Sequence, residues 1–385
     1  MKRFVGSWML GVSMLVSTAC VTSCEDDNKS QGGQNDKVYE NILKEYVNST
    51  VIPTYRALAE AALEMRVANE ALKLTPTDAT MQAASNAWMN ARVWWELSEA
   101  FLFGPVGENA LDIDGHIDSW PLELADIQAE LTVGAGLTGQ QAWRKDAEVI
   151  GFHVTEYLLY RDGAARPVAD LTAAERNYLT AATDALVWDC VLAYVAWVGE
   201  ENVPEAMKAV FRENPDVVAH LDNNGNYKNF AARLTSATGY SSWSDALAEI
   251  AVGAAEIAGE VGATKIEAPY AAGNVMEVES WYSWHSLDDY RNNIKSIKNA
   301  YLGGVDDNTR KSVTLSAHVR QVNPDLDDQI KAKIEDCLTK IAAIGTGGKS
   351  FYEVVRDQLN GPQVEAAVDA CNELQRLFDS LPDIL

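Results

Sequence analysis

Cysteine is scarce in this chain, with five among 385 residues. No two stand in a CxxC spacing, which removes thiolate zinc sites and dithiol redox centres from consideration. Histidine is equally rare, and HExxH, the helical zincin motif with two ligands and a general base, is missing. The reversed order HxxEH fails too, because Tyr157 follows Glu156. There is no GxSxG elbow and no glycine-rich phosphate loop. Basic residues are in deficit, 31 against 56 acidic, for a formal net charge of −25. Nucleic acid is therefore excluded as a partner, since phosphate recognition needs a basic patch. Strand-like alternation of apolar and polar residues is nowhere sustained.

What is present begins with a targeting signal. Met1-Lys2-Arg3 and the apolar run FVGSWMLGVSMLVSTA form a signal peptide too short to span a membrane durably. Small residues precede Cys20 and Cys24. Cys24 is the expected lipidation site, because an acidic, glycine-bearing stretch follows it like a solvated tether. The alternative is a plain secretory peptide cleaved near Ala19. Cys190, Cys337 and Cys371 remain, each in an apolar helical pattern that predicts buried free thiols; Cys337 with Cys371 is the one pairing to consider. The expected organisation is a signal over 1–24, a flexible acidic tether over 25–36, and helical domains over 37–212 and 213–385.

The long segments read at the helical period, so the fold class is all-α, with two up-down bundles packed together. VYENILKEYVNSTVIPTYRALAEAALEMRVANEALKL is one helical run with a kink expected at Pro53. A second, from the capping signals of TPTD, is expected to continue to Gly104-Pro105. MEVESWYSWHSLDDYRNNIKSIKNAYLGG reads as a further helix closed by paired glycines. The polar stretch FRENPDVVAHLDNNGNYKN is the candidate break between bundles. The tryptophans fall on apolar stripes and read as core.

GFHVTEYLLY places His153 and Glu156 on one helical face in apolar surroundings. The pair is either half of a metal site or a buried histidine with a carboxylate partner. WWELSEAFLFG sets Glu96 and Glu99 three apart on a helix; unpaired, such carboxylates cost several kcal/mol. Either Arg92, a turn earlier, neutralises one of them, or a cation does. DIDGHIDSWPLE adds Asp112, Asp114, His116 and Asp118. His220 and His318 lie in polar segments and read as surface residues. Carboxylates with one imidazole suit Fe(III), Fe(II) or Zn(II) better than Cu(I).

GFHVTEYLLY resembles the GxHxxE signature of the imelysin-like family. SEAFLFG with Arg92, IDSWPLE, and ESWYSWHSLDDYRNNIKSIKNAYLG resemble further blocks of that family. The resemblance implies two bundles with the HxxE motif near their interface, a cell-envelope location, and a link to iron or another metal. It maps Ser283, Ser286 and Asp289 to the second half of the site. The expectation is a pocket lined by the metal-binding set Glu99, Asp118, His153 and Glu156, with Arg92, Glu96 and Gly151 beside it and Ser283, Ser286 and Asp289 facing it. Its ligand would be a metal ion, iron foremost, with zinc or copper as substitutes, or a small metal chelate. The partners are outer-membrane lipid, through the acylated cysteine at the periplasmic face or cell surface, and a transporter. The family's name carries a metallopeptidase activity, which is the alternative function; a further alternative is a surface protein that captures a peptide or glycan without free metal.

Overall fold

The computed structural model describes residues 28–133 and 136–385. The expected signal peptide and Cys24 lie outside the described residues. The fold is all-α: among the described residues two short strands, Tyr160–Arg161 and Ala164–Ala165, form a lone antiparallel pair that the sequence pattern did not predict.

The first rod runs through α1 (Asn28–Tyr46), a π-helical turn at Val47–Val51, and α2 (Ile52–Leu74). Most of the segment read as tether is thus the start of α1. The buried stripe Tyr39, Ile42, Leu43 and Tyr46 nucleates that helix, and exposed residues such as Asn35 and Asp36 extend it outward. Pro53 does not end the rod. Its missing N–H falls at the first turn of α2, where it costs least, and the widened π turn just before it absorbs the mismatch.

Helix α3 (Asp78–Glu96) starts at a capping box in which the Thr77 hydroxyl and Thr80 satisfy each other's backbone N–H. It stops at Glu96, short of the expected Gly104-Pro105. The Ser98 N–H and hydroxyl both turn back onto the Trp95 carbonyl at 2.7 Å, closing the helix and starting a 3₁₀ turn at Glu99–Phe101. Helices α4 (Gly151–Leu159) and α5 (Ala173–Val198) complete the first bundle with α2 and α3. Helix α5 is apolar and long enough to cross a membrane, but it is enclosed on nearly all sides by its neighbours. The short helices at Glu205–Phe211, Pro215–Asn223 and Phe230–Leu234 also pack on α5.

The second bundle comprises α6 (Trp243–Glu260), α7 (Ser286–Leu302), α8 (Pro324–Ile344) and α9 (Gly361–Asp379). A second π turn, Val261–Glu267, prolongs α6. The helix expected from Met276 begins only at Ser286. Ser280 and Trp284 take positive φ (50° and 61°), folding the chain back as a loop. Cys337 and Cys371 are buried free thiols, as is Cys190. The bundles meet where α3 and the Glu99–Phe101 turn lie against α6 and α7.

Candidate metal centre between the bundles

The seam is polar where a helical core is ordinarily apolar. Arg92, on α3, is fully buried. Its Nη2 lies 2.5 Å from Glu96 Oε1 and 2.6 Å from Glu279 Oε1, its Nη1 is paired with Asp118, and its Nε lies 3.5 Å from Asp289 Oδ2. The guanidinium also sits over the Phe152 ring at 5.4 Å. Burial opposes that charge, but Asp118 and Glu96 more than restore it, so Arg92 stays a fixed cation.

His153 faces the same space from α4. Its Nε2 is 3.0 Å from Asp118 Oδ1 and 3.8 Å from Glu279 Oε1, and its Nδ1 is 3.3 Å from Glu156 Oε2. The other Glu156 oxygen accepts from the Ser283 N–H at 2.8 Å and the Ser283 hydroxyl at 2.7 Å. Asp118 Oδ2 accepts from Trp95 Nε1 at 2.7 Å, and Trp120 covers the imidazole edge-on at 4.8 Å. Gly151, at the head of α4, has φ +81°, and a Cβ there would stand 2.5 Å from the Ile117 carbonyl oxygen. Only glycine lets α4 reach this position.

Charge bookkeeping leaves the site acidic. Seven carboxyl groups (Glu96, Glu99, Asp114, Asp118, Glu156, Glu279, Asp289) crowd around Arg92, Lys265 and one imidazole. Burial pushes Glu96 and Glu99 well above the usual carboxylate range; it takes Asp114 to about 7, and Asp289 to about 6 against the pull of Arg92. Asp118 goes the other way: burial opposes its ionisation, but Arg92 and His153 outweigh it and hold the group ionised. Burial and the nearby Arg92 work against a charged His153, but the carboxylates of Asp118 and Glu156 beside its two nitrogens outweigh them and push it up to about 9.

Several buried polar atoms here have no hydrogen-bond partner in the protein. They include His153 Nε2, Glu96 Oε1, Glu279 Oε2, Asp289 Oδ2 and Arg92 Nε. Glu96 Oε1 and His153 Nε2 have oppositely charged neighbours within 3.0 Å, but the angles are not those of hydrogen bonds. Buried polar atoms are ordinarily paired, so orphans gathered at one place ask for a missing partner. Ligand atoms of Asp118, His153 and Glu279 lie within 4.8 Å of one another, as do those of Glu96, Glu99 and Asp118. A cleft of about 230 Å³ opens onto this cluster. Six of its lining residues are acidic (Glu99, Asp114, Asp118, Glu260, Glu277, Glu279) and one, Lys265, is basic.

A family model for imelysin matches residues 51–381. The chain belongs to the imelysin family. It is 26% identical over 337 residues to iron-regulated protein A of Synechococcus elongatus, covering 87% of this chain and 83% of that one. A crystal structure of an iron-regulated protein A precursor from Parabacteroides distasonis superposes with a TM-score of 0.76 at 27% identity, over 90% of this chain and 95% of the other. An imelysin-like protein from Psychrobacter arcticum shares the fold at TM-score 0.61 and 15% identity, over 90% and 94% of the two chains.

Within this imelysin fold the residues singled out in the sequence distribute unevenly around the hollow. His153 and Asp118 meet. Glu156 meets the imidazole on the side away from Asp118, and Ser283 holds it there. Glu99 does not share a helical face with Glu96, because α3 has ended before it; it lies toward the cleft instead. Asp289 reaches Arg92, whereas the Ser286 hydroxyl donates to the Glu279 carbonyl at 2.5 Å and braces the loop.

The sequence reading missed Glu279 and Lys265. Neither carried a local signal: Glu277 and Ser280 flank the one, and Thr264 and Glu267 the other, so both read as ordinary polar positions. Trp95, read as core packing, also donates to Asp118. Of the other four histidines, three lie elsewhere, and His285 is in the loop before α7, where its Nδ1 is 2.7 Å from the Ser283 carbonyl oxygen. His116 is in the short helix Ile113–Ile117 and pairs with Asp189 at 2.7 Å, edge-on to Trp143. His220 and His318 are half-buried rather than surface residues: His220 meets the Leu111 carbonyl at 2.9 Å, and His318 packs edge-on against Tyr39.

Proposed function

We propose that this imelysin-family protein binds a metal ion, iron foremost, or a small metal chelate in the hollow between its bundles, and serves metal uptake at the cell envelope. One observation carries the reading: His153 Nε2 and Glu279 Oε2 are both buried and both without hydrogen-bond partners, and their residues form one ligand-sized cluster with Asp118. Imidazole and two carboxylates are a donor set for Fe(II), Fe(III) or Zn(II). Glu156 would orient the imidazole through Nδ1, the support a metal-bound histidine ordinarily receives. Lys265, the one basic residue lining the cleft, offers a contact for an anionic group of a chelate, so a chelate fits beside a bare ion. The iron-regulated names of two relatives agree with iron as the cargo.

The same proposal places the chain on the outer membrane, at its periplasmic face or cell surface, through an acylated Cys24, with a transporter as the receiving partner. A Cys24→Ser protein released into the soluble fraction would support that anchor; one that stays in the membrane fraction would refute it.

Elemental analysis and calorimetric titration of the mature protein with iron, zinc and copper, beside a His153→Ala variant, test the metal site. Equal binding by the two proteins rules it out. The metallopeptidase alternative predicts chelator-sensitive cleavage of a denatured polypeptide, and the third alternative predicts glycan or peptide binding that ignores chelator.

A further inference from the structure

Lys265 lines the cleft that opens onto the cluster. It belongs to the π turn Val261–Glu267, an insertion of the kind that recurs at functional sites. Its ammonium is nearly enclosed, 3.3 Å from Glu279 Oε2 and 3.7 Å from Glu260 Oε1. Both distances are loose beside the 2.6 Å contact of Arg92 with the same Glu279, and Oε2 is left without a hydrogen bond.

The two buried cations therefore differ in kind. Arg92 is locked: four carboxylates and the face of Phe152 surround a planar group. Lys265 hangs on a flexible stem between an inner carboxylate, Glu279, and an outer one, Glu260, both of which line the cleft. Glu279 is also one of the two residues whose ligand atoms cluster with that of His153. A cation that takes Glu279 from the cleft side must share it with that ammonium or push it aside.

We propose that Lys265 is the resident counter-cation of the empty site, an ammonium that the incoming metal ion displaces from Glu279 toward Glu260. The inference rests on the metal-binding reading above. In this role Lys265 keeps the acidic cluster compensated while empty and makes a single positive charge an inadequate competitor. It sets a threshold that a divalent or trivalent ion passes and sodium or potassium does not.

Zinc alone, which is redox-inert, serves as the probe. Wild type, Lys265→Met, His153→Ala and the double variant are titrated by calorimetry at fixed ionic strength. Removing a unit charge this close to the site raises zinc affinity roughly tenfold or more in Lys265→Met, and the gain vanishes once His153 is also replaced. Affinity in Lys265→Met equal to or below wild type, with binding still dependent on His153, overturns the role of Lys265 and leaves the metal site standing. No zinc binding by any of the four proteins overturns both. Acylation footprinting of wild type needs no variant to fold: saturating zinc exposes Lys265 to the reagent, and unchanged modification overturns the displacement.

Discussion

His153 and Glu279 come from different bundles, yet imidazole Nε2 and carboxylate Oε1 stand 3.8 Å apart, with Arg92 bonded to the same carboxylate oxygen. The site exists only while α4 and the loop before α7 are held together, so ligand binding and seam stability are linked.

The imidazole makes that linkage pH-dependent. Its folded pKa of about 9 lies above the ordinary histidine value of 6.5. Its contribution to stability is therefore complete below pH 6.5 and lost as pH rises through 9. The shift is worth on the order of 3 kcal/mol. Asp289 and Asp114, raised to about 6 and about 7, add a loss of the same sign at lower pH. Denaturant midpoints of the metal-free protein should fall from pH 6.5 to 9, with a shallower slope in His153→Gln. Metal affinity should climb over the same interval, because a ligating imidazole gives up its proton.

Arg92→Met leaves buried carboxylates facing each other without their cation. Breaking such a network from one side costs about 3–5 kcal/mol. Chemical denaturation at pH 7 should show that loss. At pH 5, where more of these carboxyl groups are protonated, the deficit should shrink; a deficit that stays constant or grows would contradict the charge accounting.

Ser283→Ala removes a hydroxyl from Glu156 while the Ser283 backbone N–H still donates to it. The fold should tolerate the change. Metal affinity should drop by about ten- to a hundredfold through a less constrained imidazole, as when the outer partner of a metal-bound histidine is weakened. Calorimetry beside a thermal melt separates the two effects.

Gly151→Ala puts a methyl group 2.5 Å from the Ile117 oxygen at φ +81°. Strain of this kind costs about 1–3 kcal/mol. Because α4 carries both His153 and Glu156, metal affinity should fall along with the melting temperature. Unchanged affinity would mean that α4 shifts without disturbing the hollow.

The fold class, the helix periods and the acid–imidazole half of the site were legible because each depends on local spacing. Thr77 and Asp78 marked the start of α3, and His153 with Glu156 marked a shared face. The end of α3 was not legible, because Ser98 closing on Trp95 competes with a helical pattern that continues through Phe101. Nor was the loop before α7, whose positive-φ turns at Ser280 and Trp284 carry no glycine to announce them. Glu279 and Lys265 escaped for a different reason. Their partners lie on distant elements, and a single sequence does not pair them.

The rod from α1 to α2 has one more consequence. Below its π turn, Tyr39 packs on His318 of the second bundle; within the turn, the Thr50 hydroxyl donates to the Gly304 carbonyl; beyond it, Tyr55 stacks on Trp197 of the first. One unbroken span thus splints both halves together. Wide jaw-like parting of the two would have to peel or bend that splint, so cargo should enter by local side-chain rearrangement at the rim, with uptake rates nearly independent of solvent viscosity.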